Sequence, residues 1–368
     1  MTSLRPIALV FGTRPEIIKL SPIIRLLRKR KKPFLLIHTG QHYSYEMDRL
    51  FFKELQLREP HYHLEAPSKD EGRQAEHTGR MMVGIERVLL RERPSTVLVQ
   101  GDTNSVLAGS LVAAKIGGIR LGHVEAGLRS YDRRMPEEIN RMISDHASDY
   151  LFSPTALSRK ILLGEGVPAG KIFVTGNTIV DAVRQNLQMA MKRNGRIPDL
   201  QGMPRNFLLM TLHRQENVDR RDRLRSILKG LELVIKKFGW PIVFPIHPRT
   251  LKRLKQFGFA LPRGVRAIKP TGFFQFLLLE NKARMILTDS GGVQEEACIL
   301  KVPYVTLRTT TERPETVKAE ANLVAGFEPK NILRCAERML ARKRDWPNPF
   351  GDGHASERIL KVVIRDRL

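Results

Sequence analysis

Residues 7–19, with the sequence IALVFGTRPEIIK, contain the pattern from which the fold is predicted. The continuous apolar run from Ile7 to Phe11 is typical of a parallel strand that is covered on both faces. Gly12 permits a tight turn, and Pro15 suits the first turn of a helix because its missing N–H has no partner to lose there. Apolar residues then recur at helical spacing as far as Leu27. The segment therefore predicts a strand, a turn and an amphipathic helix.

The same order of apolar run, turn and helix recurs through two stretches of the chain. It runs from the N-terminus to about residue 175 and resumes at about residue 206, after a polar segment that contains Gly and Pro. Strands that alternate with helices indicate a parallel sheet with helices on both faces. We therefore predict an α/β fold of two Rossmann-like domains that face a cleft, with ligands at the carboxyl ends of the strands.

The composition is that of an ordinary globular protein. The chain has 368 residues, of which 42% are hydrophobic and 27% charged, and this length corresponds to about two domains. It contains no apolar run of about 18 residues, so no membrane partner is expected. The first residues lack the pattern of an export signal, and Cys298 and Cys335 are too few for a disulfide framework. The sequence therefore predicts a cytoplasmic protein.

The formal net charge is strongly positive, at +25, from 63 Lys and Arg against 38 Asp and Glu. Such a charge suits a polyanionic partner, but it also suits a basic solvated surface. The basic residues are scattered along the chain, and the aromatic residues, at 7%, are not interleaved with them as a nucleic-acid stacking platform requires. We therefore expect no nucleic-acid partner.

Two junctions between a strand and a helix have the features of anion sites. In the first, Arg14 and Lys19 supply cations beside the start of a helix. In the second, Ser290-Gly291-Gly292 offers backbone amides that suit a diphosphate, and Glu296 can accept both hydroxyls of a ribose. The alternatives are a plain turn with surface cations and a Ser-capped helix with an exposed Glu.

The phosphate motifs of other nucleotide enzymes are missing from the sequence. Neither a P-loop nor a Gly-x-Gly-x-x-Gly after the first strand is present, which argues against an NTPase and a dehydrogenase. The histidines do not have metal-ligand spacing. We therefore expect neither a metal nor a redox cofactor.

Several carboxylates and one histidine fall where predicted strands end or helices begin. Asp102 and Glu125 follow strands, Glu137 starts a helix after Pro136, and His213 follows a strand of the second half. Neighbouring buried carboxylates take displaced pKa values and can act as acid and base. Asp102 and Glu137 could equally be helix caps or first-turn charges, and an isolated His is more often structural.

Taken together, these segments resemble one family, the non-hydrolysing UDP-N-acetylglucosamine 2-epimerases, which have the glycosyltransferase-B type of fold. The motifs follow the family's order over nearly the whole chain, and the ordered set is far more specific than any one of them. They are Gly12-Thr13-Arg14-Pro15-Glu16, Gly101-Asp102-Thr103, residues 122–129 (GHVEAGLR), Pro136-Glu137-Glu138, Gly176-Asn177-Thr178, His213-Arg214, residues 289–296 (DSGGVQEE) and Thr311-Glu312-Arg313-Pro314-Glu315. With this type of fold we predict domains at residues 1–175 and 176–353, and a C-terminal helix at residues 354–368 that packs back on the first domain.

The resemblance implies a role for each matching position. The phosphates, ribose, uracil and sugar would be bound by Arg14, Lys19, Phe276, Ser290, Gly291, Gly292, Glu296 and Arg313. The acid and base carboxylates would be Asp102, Glu125 and Glu137, and His213 would steady the departing UDP. Two positions depart from the family's pattern: Gln100 stands where many members have His, and Thr271 stands near the uracil position where some members have Gln.

The resemblance also implies the reaction and its regulation. UDP-N-acetylglucosamine would lose UDP to give a 2-acetamidoglucal, and UDP would add back after protonation of the other face, without a cofactor. A second UDP-GlcNAc would act as activator at Gln41, His42, Arg214 and His247. Family members of this kind are usually homodimers, so a homodimer is expected.

Other functions remain open from the sequence. The substrate could be a modified UDP-sugar of the 2,3-diacetamido uronic acid type, with the choice made by the loop at residues 130–135. A hydrolysing relative would release N-acetylmannosamine and UDP irreversibly. A glycosyltransferase of the same fold would need an acceptor, and a nucleic-acid-binding protein would show steeply salt-dependent affinity.

Overall fold

The chain forms two compact α/β units. The computed structural model describes residues 5–41, 45–64, 73–193 and 205–365. The first unit comprises residues 1–184 together with 350–368, and the second comprises residues 185–349. Each unit is built around its own parallel sheet, as the alternation of strands and helices predicts.

The first unit contains a seven-stranded parallel sheet in the order β3-β2-β1-β4-β5-β6-β7. Its strands are β1 (Ile7–Phe11), β2 (Phe34–His38), β3 (Tyr62–His63), β4 (Thr96–Gln100), β5 (Arg120–Val124), β6 (Tyr150–Ser153) and β7 (Ile172–Val174). The helices are α1 (Arg14–Lys29), α2 (Tyr45–Glu54), α3 (Gln74–Glu92), α4 (Asn104–Lys115), α5 (Pro136–Ala147) and α6 (Ala156–Gly164), with α15 (Ala355–Arg365) from the chain's end. Helix α7 (Thr178–Lys192) begins in the first unit and continues into the second, which starts at residue 185.

The second unit contains a six-stranded sheet in the order β10-β9-β8-β11-β12-β13, again parallel. Its strands are β8 (Leu208–Thr211), β9 (Ile242–Pro245), β10 (Val265–Ile268), β11 (Met285–Thr288), β12 (Tyr304–Thr306) and β13 (Asn322–Val324). Its helices are α8 (Gln215–Val218), α9 (Arg221–Phe238), α10 (Pro248–Phe257), α11 (Phe273–Lys282), α12 (Gly291–Ile299), α13 (Pro314–Lys318) and α14 (Pro329–Leu340).

Each sheet has one point at which the order of its strands reverses direction. In the first sheet this point lies between β1 and β4, and in the second between β8 and β11. Loops after the two strands at such a point leave on opposite faces of the sheet, so a crevice opens at their carboxyl ends. The two anion motifs of the sequence, after β1 and after β11, both fall at these reversal points.

The C-terminal helix α15 belongs to the first unit. Its first turn is capped by Asp181 of α7, which accepts hydrogen bonds from the backbone N–H of Ala355 at 3.2 Å and of Ser356 at 3.0 Å. This contact ties the first turns of α7 to α15. The first unit accordingly ends at residue 184, whereas the sequence suggests a domain end at residue 175. Among the described residues, no helix has the length and apolarity needed to cross a membrane.

Candidate active site

Glu125 follows β5 in a backbone conformation that is unusual for a residue with a side chain. Its φ is +74° and the residue is 8% exposed. The carboxylate Oε2 accepts hydrogen bonds from Lys19 Nζ at 2.6 Å and from Gln100 Nε2 at 2.8 Å. A left-handed conformation at a non-glycine residue costs about 1–3 kcal/mol and persists where surrounding contacts enforce it, often at functional sites. The carboxylate is therefore both buried and held in one orientation.

Asp102 lies at the end of the neighbouring strand β4. Arg141 of α5 donates to its Oδ2 from Nε at 3.0 Å and from Nη2 at 2.8 Å. The side chain is 36% exposed, so it remains open to a ligand. Because β4 and β5 are adjacent, Asp102 and Glu125 emerge from the same edge of the sheet.

The two glutamates that begin α5 have different environments. Glu137 is exposed, whereas Glu138 is 1% exposed and accepts hydrogen bonds from the N–H groups of Ser130 and Tyr131, both at 2.9 Å. Burial alone would raise the pKa of Glu138, but these backbone donors and the Arg141 guanidinium hold it below its usual value. Glu138 therefore fixes the start of the 130–135 loop, and Glu137 is the glutamate of the pair that can meet a substrate.

The predicted cations of the first unit already contact other side chains. The Arg14 guanidinium lies 5.5 Å from the centre of the Phe51 ring, and the Lys19 ammonium pairs with Glu125. Gln41, predicted to bind an activator, accepts hydrogen bonds at Oε1 from the backbone N–H of Ser105 at 2.9 Å and from its hydroxyl at 2.6 Å. His42, the second predicted activator residue, lies outside the described residues.

Glu16 is a buried carboxyl group at the first reversal point. It accepts hydrogen bonds from the N–H of Gly12 at 3.1 Å and from the hydroxyl of Thr103 at 3.0 Å. Burial raises its pKa from 4.5 to about 7, and the hydrogen bonds offset only part of this effect. The group thus links the turn after β1 to the loop after β4.

Replacing Glu16 with glutamine is expected to change how stability depends on pH. Because the folded pKa of Glu16 is raised, the folded state holds an extra proton between pH 4.5 and about 7, and stability falls as the pH rises through this window. The shift corresponds to about 3 kcal/mol at about 1.4 kcal/mol per pKa unit. Urea unfolding at pH 4.5 and pH 8 should show wild type losing about this much relative to Glu16→Gln. Parallel pH curves for the two proteins would contradict the prediction, and the exposed Glu357→Gln is the control.

In the second unit, Asp289 organises the segment that follows β8. This fully buried carboxylate accepts hydrogen bonds from the backbone N–H of His213 at 3.0 Å and of Arg214 at 2.8 Å, and the His213 Nδ1 lies 3.1 Å from it. Burial would raise the pKa of Asp289, but the contacts with His213, Arg214 and Asn217 lower it. An ionised Asp289 accepts a hydrogen bond from Nδ1 of His213, which leaves Nε2 for a ligand.

The start of α12 provides backbone amides for an anion. Ser290 precedes the helix and donates its N–H to the Thr288 hydroxyl at 2.9 Å, and a methyl group placed on Gly292 would meet no atom within 4 Å. A methyl placed on Gly291 would lie 3.7 Å from a carboxylate oxygen of Glu312 and 4.0 Å from Nη2 of Arg214. The first turn of α12 thus has backbone amides with open space beside Gly292, and the Arg214 guanidinium lies close to Gly291.

The predicted ribose and uracil residues lie on the two adjoining helices α12 and α11. Glu296 is 8% exposed, and the completely buried Glu280 is next to it. Burial first, and then the negative charge of Glu296, raise the pKa of Glu280 well above its usual value. A protonated Glu280 is a hydrogen-bond donor that can orient the Glu296 carboxylate. Phe276, one helical turn before Glu280, is half-buried.

Arg313 and His247 are the remaining predicted residues of the second unit. Arg313 donates from Nε to the buried Glu295 at 2.5 Å. His247 is exposed at the start of α10, where its Nδ1 accepts a hydrogen bond from the N–H of Arg249 at 3.1 Å. Its ring centre lies 5.5 Å from that of His213.

The predicted residues are divided between the two units. The first unit holds Arg14, Lys19, Gln41, Asp102, Glu125 and Glu137, and the second holds His213, Arg214, His247, Phe276, Ser290, Gly291, Gly292, Glu296 and Arg313. The sequence assigned no role to Gln100, Asp289 or Glu280, because their contacts depend on tertiary neighbours. Within the described ranges, no three His, Cys, Asp or Glu side chains are grouped so as to hold a metal ion.

Two α/β units, each with a parallel sheet, have the glycosyltransferase-B type of fold. Residues 25–364 match the family described as UDP-N-acetylglucosamine 2-epimerase. The chain belongs to this family.

Several relatives match along their full length. UDP-N-acetylglucosamine 2-epimerase of Methanocaldococcus jannaschii is 51% identical over 363 residues, which cover 97% of this chain and 98% of that protein. The Methanococcus maripaludis protein of the same name is 50% identical, with 98% and 99% covered. The crystal structure of the M. jannaschii enzyme in complex with UDP-GlcNAc and UDP, at 51% identity, covers 98% of this chain and 99% of that one with a TM-score of 0.86. UDP-2,3-diacetamido-2,3-dideoxy-D-glucuronate 2-epimerase of Pseudomonas aeruginosa is 38% identical, with 97% and 98% covered.

Proposed function

We propose that this chain is an isomerase that interconverts UDP-N-acetylglucosamine and UDP-N-acetylmannosamine without hydrolysis. The observation that carries the proposal is the pair Asp102 and Glu125, which emerge side by side from adjacent strands and are each held by cationic or amide donors. Two carboxylates are what a reaction needs when one proton is removed and another is delivered. Two relatives at 51% and 50% identity that are named UDP-N-acetylglucosamine 2-epimerase support the choice of substrate.

The chemistry requires UDP to leave before, or as, the proton at C2 is lost. This proton is not next to a carbonyl, so a carboxylate cannot remove it from the intact sugar. When the bond between C1 and the phosphate oxygen breaks, C1 becomes cationic and the C2 proton becomes acidic. A carboxylate then takes that proton, the C1–C2 double bond of a 2-acetamidoglucal forms, and UDP carries away the electron pair of the broken bond.

The return step inverts C2. A protonated carboxylic acid delivers a proton to the opposite face of C2, and the β-phosphate oxygen of UDP attacks C1. We assign the two proton transfers to the set of Asp102, Glu125 and Glu137. Both steps conserve all atoms, so neither an oxidant nor an external nucleophile is consumed.

The second unit is proposed to hold UDP throughout. The N-terminal amides of α12 and Arg214 stabilise the negative charge that grows on the diphosphate, which is electrostatic catalysis. As an imidazolium, His213 would donate from Nε2 to the same phosphate while its Nδ1 is oriented by Asp289. Glu296 would bind the ribose and Phe276 the uracil.

Incubation with UDP-GlcNAc in deuterated water tests the proposal directly. Deuterium is expected at C2 of the recovered nucleotide sugar, in a mixture of both epimers, because each turnover exchanges the C2 proton with a carboxyl group open to solvent. Mass spectrometry and proton NMR measure the exchange. Accumulation of free N-acetylmannosamine and UDP would instead identify a hydrolysing enzyme, and full retention of the C2 proton would overturn the mechanism.

The same assay distinguishes two finer proposals. A modified substrate of the 2,3-diacetamido uronic acid type is supported by the P. aeruginosa relative. In that case the modified UDP-sugar would take up deuterium at C2, whereas UDP-GlcNAc would not. Activation by a second UDP-GlcNAc, at Gln41, Arg214 and His247 with the undescribed His42, would leave UDP-ManNAc alone inert until UDP-GlcNAc is added. A homodimer is proposed as the working assembly.

A further inference from the structure

His123 is a completely buried histidine on β5, two residues before Glu125. Its Nδ1 lies 2.7 Å from Oδ1 of Asp145, a buried residue of α5, and its Nε2 lies 2.8 Å from the carbonyl oxygen of Gly101. A carbonyl oxygen and a carboxylate can only accept hydrogen bonds. Both ring nitrogens must therefore carry a proton, so His123 is an imidazolium ion.

The charges around His123 agree with this assignment. Burial disfavours the imidazolium, but the negative charge and hydrogen bond of Asp145, followed by the Gly101 carbonyl and Glu125, outweigh it, so the pKa of His123 is raised. Asp145 also pairs with Arg129 at 2.7 Å, and Arg129 pairs in turn with Glu165 at 2.6 Å. The buried Asp145 carboxylate therefore lies between two cations, His123 and Arg129.

The ion pair joins the backbone of two loops that carry the proposed catalytic carboxylates. Gly101, whose carbonyl accepts from His123, directly precedes Asp102. Oδ2 of Asp145 accepts a hydrogen bond at 3.1 Å from the N–H of Gly127, two residues after Glu125. Gly127 has a φ of +81°, and a side chain there would come within 2.5 Å of a backbone oxygen, so this turn is tightly packed. One charged bridge thus spans both loops.

We propose that His123 and Asp145 are positioning residues that hold the Asp102 loop and the Glu125 loop at a fixed separation for proton transfer. This inference rests on the proposed function, because it gives the bridge a role in that reaction. Neither side chain needs to touch the substrate, since each acts through the backbone of a loop. A buried charged pair is a costly way to stabilise a fold, whereas it suits a site in which the distance between two carboxylates must not vary.

The test compares His123→Gln with the matched control His146→Gln. Glutamine cannot donate a hydrogen bond toward both Asp145 and Gly101, so the loops lose their common anchor. We expect kcat to fall by about 100-fold, the effect of a misplacement of about 1 Å, with KM and the Kd for UDP unchanged. His146 is adjacent to Asp145 in the sequence, but its side chain is 50% exposed and its Nε2 lies 3.9 Å from Oε2 of Glu165. Replacing His146 should therefore leave kcat unchanged.

A spectroscopic measurement on the unaltered protein covers the case in which His123→Gln does not fold. Nitrogen-15 NMR at pH 8 should show one histidine with two protected ring N–H groups. A neutral imidazole at this position could not donate to both loops and would overturn the proposal, as would a wild-type kcat in a folded His123→Gln. Failure of the unaltered enzyme to exchange C2 of any tested UDP-sugar would instead count against the proposed function, and it would leave the NMR result standing.

Discussion

The Glu125→Gln enzyme is expected to lose about 1,000-fold in kcat, within the range that a positioned acid or base contributes. Glutamine has nearly the shape of glutamate, but it cannot accept and return a proton. The Kd for UDP should change little, because Arg214, Glu296 and the amides of α12, which are proposed to hold UDP, lie in the other unit and Arg14 is left in place. The measurements are initial rates of C2 exchange in deuterated water and calorimetric titration with UDP.

The same substitution is also expected to lower stability. The Lys19 ammonium lies 2.6 Å from Glu125 Oε2, and both side chains are at least nine-tenths buried. Removing one member of such a pair leaves a buried charge without its counter-charge, which costs about 3–5 kcal/mol when no other group compensates. The Gln100 contact and the amide oxygen of the new residue compensate in part. Loss of turnover must therefore be measured at a temperature at which the variant is folded, with the exposed Glu357→Gln as control, and normal turnover would remove Glu125 from the reaction.

The sequence was sufficient for the two-unit α/β architecture because buried parallel strands are continuous apolar runs. The apolar stretch that contains β1 predicts its strand to the residue. The edge strands β3, β10 and β13 are not predicted, since they have two to four residues and lie at the margins of their sheets. A short strand that pairs with a neighbour on one side only has too few residues to show a periodic pattern of apolar side chains.

Without the family resemblance, the sequence suggests members of the candidate site only where a residue follows a predicted strand or begins a predicted helix. The contacts of Asp289 could not be predicted in this way. Its partners His213 and Arg214 precede it by more than seventy positions and reach it only when β8 and β11 pair. The same limit applies to the Lys19–Glu125 pair, which joins residues 106 positions apart. Sequence likewise cannot tell which of Glu137 and Glu138 is buried, because that depends on the path of the preceding loop.

The Gly292→Ala protein is expected to bind UDP about 10- to 100-fold more weakly, the range that corresponds to losing a hydrogen bond to a charged group. A diphosphate can reach the amides at the start of α12 only if no side chain lies above them. The methyl group of alanine at position 292 would meet no protein atom within 4 Å, so it would occupy space that the structure leaves for the ligand. Calorimetric titration with UDP measures the effect.

Gly292→Ala should not lower stability, although it should weaken the binding of UDP. This contrast distinguishes a glycine that a ligand requires from a glycine that packing requires. Alanine is favoured over glycine in a helix by up to about 1 kcal/mol, so Gly292→Ala should unfold at the same or a higher urea concentration. Gly79→Ala is the matched control, because Gly79 lies inside α3 and a methyl group there also meets nothing within 4 Å. Its stability should rise while its Kd for UDP stays at the wild-type value. If both variants bound UDP normally, the amides of α12 would not be the diphosphate site, because a glycine retained only for helix geometry has no reason to affect a ligand.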